Sequence, residues 1–175
     1  MHFNKWLNFQ ESSYSDLYKS TVEAFPRTKK RQHATDPINI LEIKTTPYVG
    51  FKTILFRSSV LNTNENTKYN CLMLFKNVNY QGNQVKIKTQ DLKEYSFDRL
   101  SFENTDVLLR CNCPDFRWRF SWYDKIDKSL YGRPPSYYKA KGVGYAANPM
   151  ELEGMCKHLI KMAIVLKESN FFIEN

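Results

Sequence analysis

The fold is decided by a stretch that begins Arg110-Cys111-Asn112-Cys113-Pro114 and ends Gly154-Met155-Cys156-Lys157-His158-Leu159. Its two motifs read C-x-C and C-x-H, and residues 114–155 separate them. Three thiols and one imidazole are a donor set that binds zinc tetrahedrally. The chain has four cysteines and three histidines, so most of its thiols fall in this pattern.

The spacing within each motif predicts how the four donors converge. In an extended segment, Cys111 and Cys113 point to the same side. In a regular helix, Cys156 and His158 would lie about 200° apart. They converge only if Cys156 precedes the helix and His158 lies in its first turn, and Gly154 is expected to supply the break that this requires.

Four protein donors leave no coordination position for a catalytic water, so the sequence predicts one structural zinc ion. The alternative is that the cysteines are unrelated and that His158 is an ordinary helix residue, since C-x-C and C-x-H each occur by chance. The zinc interpretation is favoured because a predicted strand and a predicted helix meet at the four donors.

The composition is that of a globular protein with a basic surface. The chain has 175 residues, 42% hydrophobic and 15% aromatic, which suits one domain or one domain with a small appendage. The formal net charge of +8 favours an anionic partner such as nucleic acid, although many basic proteins bind no anion specifically. No run of about 18 apolar residues is present, so no membrane span is expected. The N-terminus lacks a signal-peptide pattern, so we expect a reducing, cytosolic compartment with cysteines as thiols or metal ligands.

Hydrophobic periodicity predicts one helix near the N-terminus and another at the C-terminus. The apolar residues over 14–25 recur at helical spacing, behind a capping box formed by Ser13 and Asp16. Pro26 ends this helix. The apolar face over 155–168 is wide enough to be buried on more than one side.

Between Ile38 and Cys111 the hydrophobic period changes to two, which is typical of strands. Six strands are predicted, at about 38–41, 48–57, 69–77, 84–88, 95–100 and 106–111. The turn residues over 80–83 predict that the third and fourth strands form a hairpin. Cys71 lies in an apolar run of the third strand and is interpreted as a small buried hydrophobic residue. These strands predict an antiparallel sheet or a small open barrel.

Residues 114–153 have weaker patterns, and two interpretations remain for their first part. The alternation of aromatic and arginine residues over 116–122 would suit a strand. The aromatic residues at 116, 120 and 123 also suit a helix entered through Pro114 and Asp115, which is the favoured interpretation. Glycine and proline residues over 133–149 indicate irregular structure.

The donor pattern, with Phe116 three residues after Cys113 and an apolar helix after His158, resembles the SWIM-type zinc motif. The resemblance implies a ββα-like zinc unit that serves nucleic-acid or protein binding, with Cys111, Cys113, Cys156 and His158 as ligands. The gap between the two halves is longer here than is usual in that family.

A longer pattern also resembles a group of proteins. It reads Cys-Asn-Cys-Pro-Asp-Phe-Arg-Trp-Arg-Phe from residue 111 and Gly-Met-Cys-Lys-His-Leu from residue 154, and it is similar to uncharacterised proteins encoded by tailed bacteriophages. The resemblance extends upstream through residues 27–36 and covers nearly the whole chain. It implies a virion or assembly component of the capsid, neck or tail, without assigning a chemistry.

These features together predict an α+β protein with three regions. Residues 1–35 would hold the N-terminal helix and a basic arm, and residues 36–110 the antiparallel β domain. Residues 111–175 would form a SWIM-like zinc module with the C-terminal helix, bound to the strand through the metal.

The favoured function is that of a non-enzymatic structural or interaction protein, located in the virion and, during assembly, in the host cytoplasm. Other virion proteins are its expected partners, and no membrane or small-molecule substrate is expected. No Walker, G-x-G-x-x-G, G-x-S-x-G or zinc-deaminase motif occurs. A nucleophile pair of Cys156 and His158 would need the free thiolate that zinc ligation removes.

The alternative function is that of a SWIM-like nucleic-acid-binding protein. Basic side chains could contact phosphates, and aromatic side chains could stack on bases. The candidate nucleic-acid or partner contacts are Arg27, Lys29, Lys30, Arg31, Arg117, Arg119, Arg133, Tyr137 and Tyr138. For the basic run, a solvated linker is favoured over binding. For the aromatic residues, packing around the metal unit is favoured over binding.

Overall fold

The computed structural model describes residues 11–26, 37–64, 66–134 and 147–173. Within them the chain forms an α+β fold, as the sequence predicts. The helices are α1 (Tyr14–Ala24), α2 (Pro114–Arg119), α3 (Ser121–Asp127) and α4 (Lys157–Lys167). The strands are β1 (Ile38–Tyr48), β2 (Thr53–Asn62), β3 (Thr67–Phe75), β4 (Val85–Lys88), β5 (Glu94–Phe97) and β6 (Val107–Cys111).

An open four-stranded sheet in the order β1-β2-β3-β6 forms the centre of this fold. Its neighbouring strands are antiparallel, and a second sheet pairs β4 with β5. β6 follows β3 only after the whole β4–β5 unit, yet it pairs with β3 from Val107 opposite Phe75 to Cys111 opposite Cys71. This pairing brings the C-x-C motif to the central sheet.

The predicted hairpin between the third and fourth strands is wrong, because β4 pairs with β5. The residues after β3 bond elsewhere. The Val78 N–H donates to the Lys52 carbonyl at 2.8 Å, and the Asp98 N–H donates to the Asn79 carbonyl at 3.0 Å. These bonds take the chain away from the edge of β3 and leave that edge for β6. The turn residues mark a change of direction without specifying the next pairing partner.

A single strand over 48–57 is also wrong. β1 continues to Tyr48, and a 3-10 turn then spans Val49–Phe51. Lys52 adopts a φ of 51°, and β2 begins at Thr53, directly opposite Tyr48. Because β-forming residues lie on both sides of this short turn, periodicity alone begins the second strand too early, at Tyr48 instead of Thr53.

Helix α1 begins and ends as the sequence predicts. The Ser13 hydroxyl accepts the Asp16 N–H at 3.2 Å, and the Asp16 carboxylate accepts the Ser13 N–H at 3.1 Å, which is a complete capping box. On the buried side, the Thr21 hydroxyl donates to the Leu17 carbonyl and accepts the Met155 N–H at 2.8 Å. Helix α1 therefore contacts the segment that leads into α4.

Residues 114–127 form two short consecutive helices, α2 and α3, which are separated at Phe120, so the strand interpretation of this region is wrong. Cys113 is the N-cap of α2, and Pro114 takes the first helical turn, where its missing N–H has no partner to lose. Phe116 and Phe120 lie in the core. The helix interpretation is confirmed, and of the aromatic residues at helical spacing Phe116 and Phe120 are buried and Tyr123 is half-buried.

The core lies between the sheet and helix α4, which packs against β1, β3 and β6. Most of α4 is buried, as its wide apolar face predicts. The residues after α4 join this core, since the Phe172 ring stacks on Phe102 at 4.0 Å and meets Phe75 edge-on at 5.1 Å. The Leu100 N–H donates to the Phe171 carbonyl at 2.9 Å. The aromatic C-terminal residues therefore cover the sheet.

The segment 147–156 has no regular secondary structure, but side chains hold it in place. The Asn148 amide donates to the Arg119 carbonyl at 2.9 Å. The Gly154 N–H donates to the carboxyl of Asp124 at 2.8 Å. Asp124 is fully buried, and this burial raises the pKa of its carboxyl well above the usual range. These bonds fix the path by which the chain enters α4.

Gly154 has a different role from the one that the sequence predicts. Its φ lies outside the left-handed region, so the break before α4 does not itself require glycine. A Cβ at this position would lie 2.4 Å from the Thr21 hydroxyl and 2.9 Å from the Phe120 ring. Glycine is needed because the backbone passes too close to these two side chains for any larger residue.

Replacing Gly154 with Ala should therefore destabilise the protein. We expect Gly154→Ala to lower the free energy of unfolding by about 1–3 kcal/mol, the usual cost of overpacking, as measured by urea denaturation. Gly50→Ala is the matched control, because a Cβ at Gly50 has no atom within 4 Å. Equal stability of the two variants would contradict this role for Gly154.

Candidate metal centre

Three secondary-structure elements present the four donors of the two motifs. Cys111 is the last residue of β6, and Cys113 is the N-cap of α2. Cys156 is the N-cap of α4 and has extended backbone angles, so His158 lies in the first turn of that helix. This is the arrangement that the spacing of Cys156 and His158 predicts.

The structure brings the four donors together. The ligand atoms of Cys111, Cys113, Cys156 and His158 all lie within 4.8 Å of one another. Each of the four residues is at most 3% exposed. A tetrahedral zinc with Zn–S bonds of about 2.3 Å places sulfur atoms about 3.8 Å apart. The group could therefore hold one metal ion after a small contraction.

Hydrogen-bond donors surround the sulfur atoms. The Cys113 N–H donates to Cys111 Sγ at 3.4 Å, and the Phe116 N–H donates to Cys113 Sγ at 3.3 Å. Such bonds stabilise a thiolate more than a thiol, because a hydrogen bond to a charged acceptor is stronger than one to a neutral acceptor. The backbone at the start of α2 is thus already arranged for anionic sulfur.

The imidazole of His158 is buried at the same point. Its Nδ1 lies 3.9 Å from Cys156 Sγ, and its ring lies 4.7 Å from the Tyr69 ring. Nε2 is buried without a hydrogen-bond partner among the described residues. A buried polar atom normally has a partner, and a metal ion bound through Nε2 would supply one.

The surroundings of the three thiols shift their pKa values in opposite directions. Burial raises the pKa of both Cys111 and Cys156 well above the usual range. Hydrogen bonds with Cys111 and Cys156 lower the pKa of Cys113. The cluster therefore needs the positive charge of a bound cation to hold all three cysteines as thiolates.

Cys71 is closer to this centre than the sequence indicates. It is fully buried, in agreement with its interpretation as a hydrophobic residue, but its Sγ lies 3.5 Å from Cys111 Sγ. The two residues are directly opposite in the β3–β6 pair. The sequence does not reveal this neighbour, because its turn residues predict that β3 pairs with β4.

Three of the nine candidate partner-contact residues, Arg117, Arg119 and Arg133, lie in the described part of the chain. The other six, Arg27, Lys29, Lys30, Arg31, Tyr137 and Tyr138, lie outside the described residues. The Arg117 guanidinium lies 4.8 Å from the centre of the Trp118 ring. Arg119 forms an ion pair with Asp115 at 2.5 Å and lies over the Phe25 ring, so its charge is used within the protein. Arg133 follows α3 in a segment without regular structure.

Arg110 is a structural residue that the sequence reasoning overlooked. Its Nε donates to the Tyr131 carbonyl at 2.6 Å, and its guanidinium also donates to the Arg133 carbonyl. These bonds tie the segment after α3 to β6, next to Cys111. An arginine beside a cysteine motif gave no signal of this role, because its acceptors are main-chain carbonyls about twenty residues away.

Comparison with known proteins finds no matching family model, no match among curated proteins and no match among solved structures. The SWIM and bacteriophage resemblances therefore rest on the sequence patterns alone. Among the described residues, no helix has the length and apolar character needed to cross a bilayer.

Proposed function

We propose that the protein is a non-enzymatic structural or interaction protein of a bacteriophage particle, stabilised by one zinc ion bound to Cys111, Cys113, Cys156 and His158. The observation that carries the proposal is the buried cluster of these four donors at the meeting point of β6, α2 and α4. The virion assignment, with the host cytoplasm as the site of assembly, is supported by the resemblance to phage-encoded proteins.

Zinc is the metal that suits this donor set best. Thiolates and imidazole favour zinc over magnesium or calcium, which prefer oxygen ligands. Four protein donors are typical of a structural rather than a catalytic site. The use of Cys156 and His158 as ligands also leaves neither as nucleophile or base, which supports a non-enzymatic role.

The expected contribution of the metal is large compared with the cost of the loop that it closes. Closing the segment 114–155 costs roughly 3 kcal/mol in chain entropy. A structural zinc site contributes on the order of 10–16 kcal/mol at neutral pH. A bound ion can therefore hold β6, α2 and α4 together across this segment, whose described residues 147–155 have no regular secondary structure.

The zinc proposal predicts one zinc per chain, measured by elemental mass spectrometry on protein purified without added metal. His158→Ala and Cys113→Ser should each lose the ion and melt at a lower temperature than the wild type. Removing one ligand leaves the other three buried without the metal ion that they bind. Cys71→Ser is the control and should retain one zinc. A wild-type protein that contains no zinc and does not bind added zinc would contradict the proposal.

The exposed apolar side chains support a role in protein–protein contacts. Phe51 is 83% exposed in the β1–β2 turn, and Trp118 is 47% exposed on α2. Exposed aromatic residues are enriched in interfaces, where they bury large areas at low entropic cost. We assign these residues to contacts with other virion proteins.

If the protein belongs to the virion, it should be present in purified particles at a constant copy number. Quantitative mass spectrometry of particles banded on a density gradient measures that number against a major capsid protein. Particles washed at high salt should retain it, because a structural component is held by a packed interface. Its absence from washed particles, together with its presence in the lysate, would contradict the virion assignment.

Nucleic-acid binding is the second candidate, and one observation favours it. The Arg117 guanidinium lies over the exposed Trp118 ring, so a cation and a stacking surface are adjacent on α2. Single-stranded nucleic acids are bound by this combination of charge and aromatic rings. The net charge of +8 would support the same function.

Fluorescence anisotropy with a labelled single-stranded oligonucleotide tests this candidate. Trp118→Ala should weaken binding by about 1–3 kcal/mol for one lost stacking contact, and Arg117→Ala should weaken it and reduce the salt slope by about one charge. Lys93→Ala is the charge-matched control, since Lys93 is exposed and paired with Asp91 on the β4–β5 unit. Equal effects of Lys93→Ala and Arg117→Ala would show that binding does not use this part of α2.

A further inference from the structure

Three thiolates and a divalent cation would leave one net negative charge at the candidate centre. The four donors are almost completely buried, and an uncompensated charge is costly in such surroundings. Hydrogen bonds to the sulfur atoms are the usual compensation, and the groups that provide them strongly affect how tightly a metal is held. The groups that donate hydrogen bonds to the sulfur atoms are therefore expected to affect the affinity of the site for metal.

Cys111 receives two of these contacts. One is the main-chain N–H of Cys113 at 3.4 Å. The other is the Cys71 thiol, whose Sγ lies 3.5 Å from Cys111 Sγ. The main-chain donor is present with any side chain at position 113, whereas the Cys71 donor depends on one particular side chain.

The sheet fixes the Cys71 thiol in this position. The Asn112 N–H donates to the Asn70 carbonyl at 3.2 Å, and the Asn70 N–H donates to the Asn112 side chain at 2.8 Å. Cys71 and Cys111 are therefore the adjacent non-hydrogen-bonded pair of the ladder, in which Cα atoms approach to about 4.5 Å and side chains are closest. The β3–β6 register thus holds the two sulfur atoms together.

Cys71 is nevertheless not one of the metal-binding donors. The group of mutually close ligand atoms consists of Cys111, Cys113, Cys156 and His158, without Cys71. A tetrahedral ion has no position for a fifth ligand. A thiol in contact with one ligand and outside the donor group can act as a hydrogen-bond donor to that ligand.

We propose that Cys71 remains a thiol and donates its S–H to the Cys111 thiolate, and that this hydrogen bond increases the affinity of the centre for zinc. The inference rests on the proposed zinc site. It adds Cys71 to that site as a hydrogen-bond donor to one of the four ligands. Cys71 is in this sense a positioning and charge-compensating residue. It acts on the metal through Cys111.

Three substitutions separate the hydrogen bond from the volume of the side chain. Cys71→Ser keeps a hydroxyl donor of similar size, Cys71→Ala removes the donor and some volume, and Cys71→Val removes the donor while it fills the space. Competition with a chromogenic chelator measures zinc affinity for each. We expect Cys71→Ala and Cys71→Val to bind zinc about 10-fold or more weakly, and Cys71→Ser to remain within about threefold of the wild type.

Cobalt(II) provides a readout that a purely structural role would not change. Loss of the S–H donor leaves more charge on the Cys111 sulfur, so the sulfur-to-cobalt charge-transfer band should move to lower energy in Cys71→Ala and Cys71→Val. The band of Cys71→Ser should stay near that of the wild type. If Cys71→Ala does not fold, the Ser and Val variants alone decide the question.

Two results would overturn the proposal while the zinc site stands. One is equal zinc affinity and an unshifted cobalt band in all three variants of a protein that binds zinc. The other is a loss of charge-transfer intensity that matches one missing sulfur ligand, which would make Cys71 a ligand itself. A wild-type protein that binds neither zinc nor cobalt overturns the proposed function instead, so the two failures are distinguishable.

Discussion

The pairing of β3 with β6 is the constraint on which the rest of the structure depends, because it carries the first donor pair into the core. The pair aligns Val107 with Phe75 and Cys111 with Cys71. Side chains alternate along a strand, so a slip of one residue would turn Cys111 to the opposite face. It would then be separated from Cys156. The same register places α2 directly after the sheet, so one strand pair sets the position of half of the candidate site.

The candidate metal centre and the hydrophobic core are continuous. Cys111, Cys113 and Cys156 belong to the same buried cluster as Phe75 and Phe172. The four ligand residues are therefore shielded from solvent. Burial raises the pKa of Cys156, and the low local dielectric strengthens each hydrogen bond to sulfur. An ion at this point would tie the sheet to α4 from inside the core. This differs from a small zinc finger, where the metal replaces a core that is too small to fold alone.

Features that depend on nearby residues could be predicted from the sequence, and features that depend on distant ones could not. The capping box of Ser13 and Asp16 acts across three residues, and the apolar face of α4 across a few turns. The approach of Gly154 to Thr21 and Phe120 involves three separate segments, so the sequence predicts a backbone role for Gly154, whereas its role is steric. The hairpin error has the same origin, since turn residues report a bend and carry no information about the edge strand that competes for pairing.

The sequence by itself determined the α+β class, the limits of α1 and α4, and the four donors with the local geometry that lets Cys156 and His158 converge. These follow from hydrophobic period, capping and residue spacing, all of which act within one element or at its ends. Only the tertiary structure decided which strand pairs with β6 and what surrounds the donors, including Cys71 beside Cys111. The physical reason is that distant segments compete to pair with the same strand edge and to fill the same space in the core. The outcome depends on the relative energies of all these segments, so no single segment predicts it.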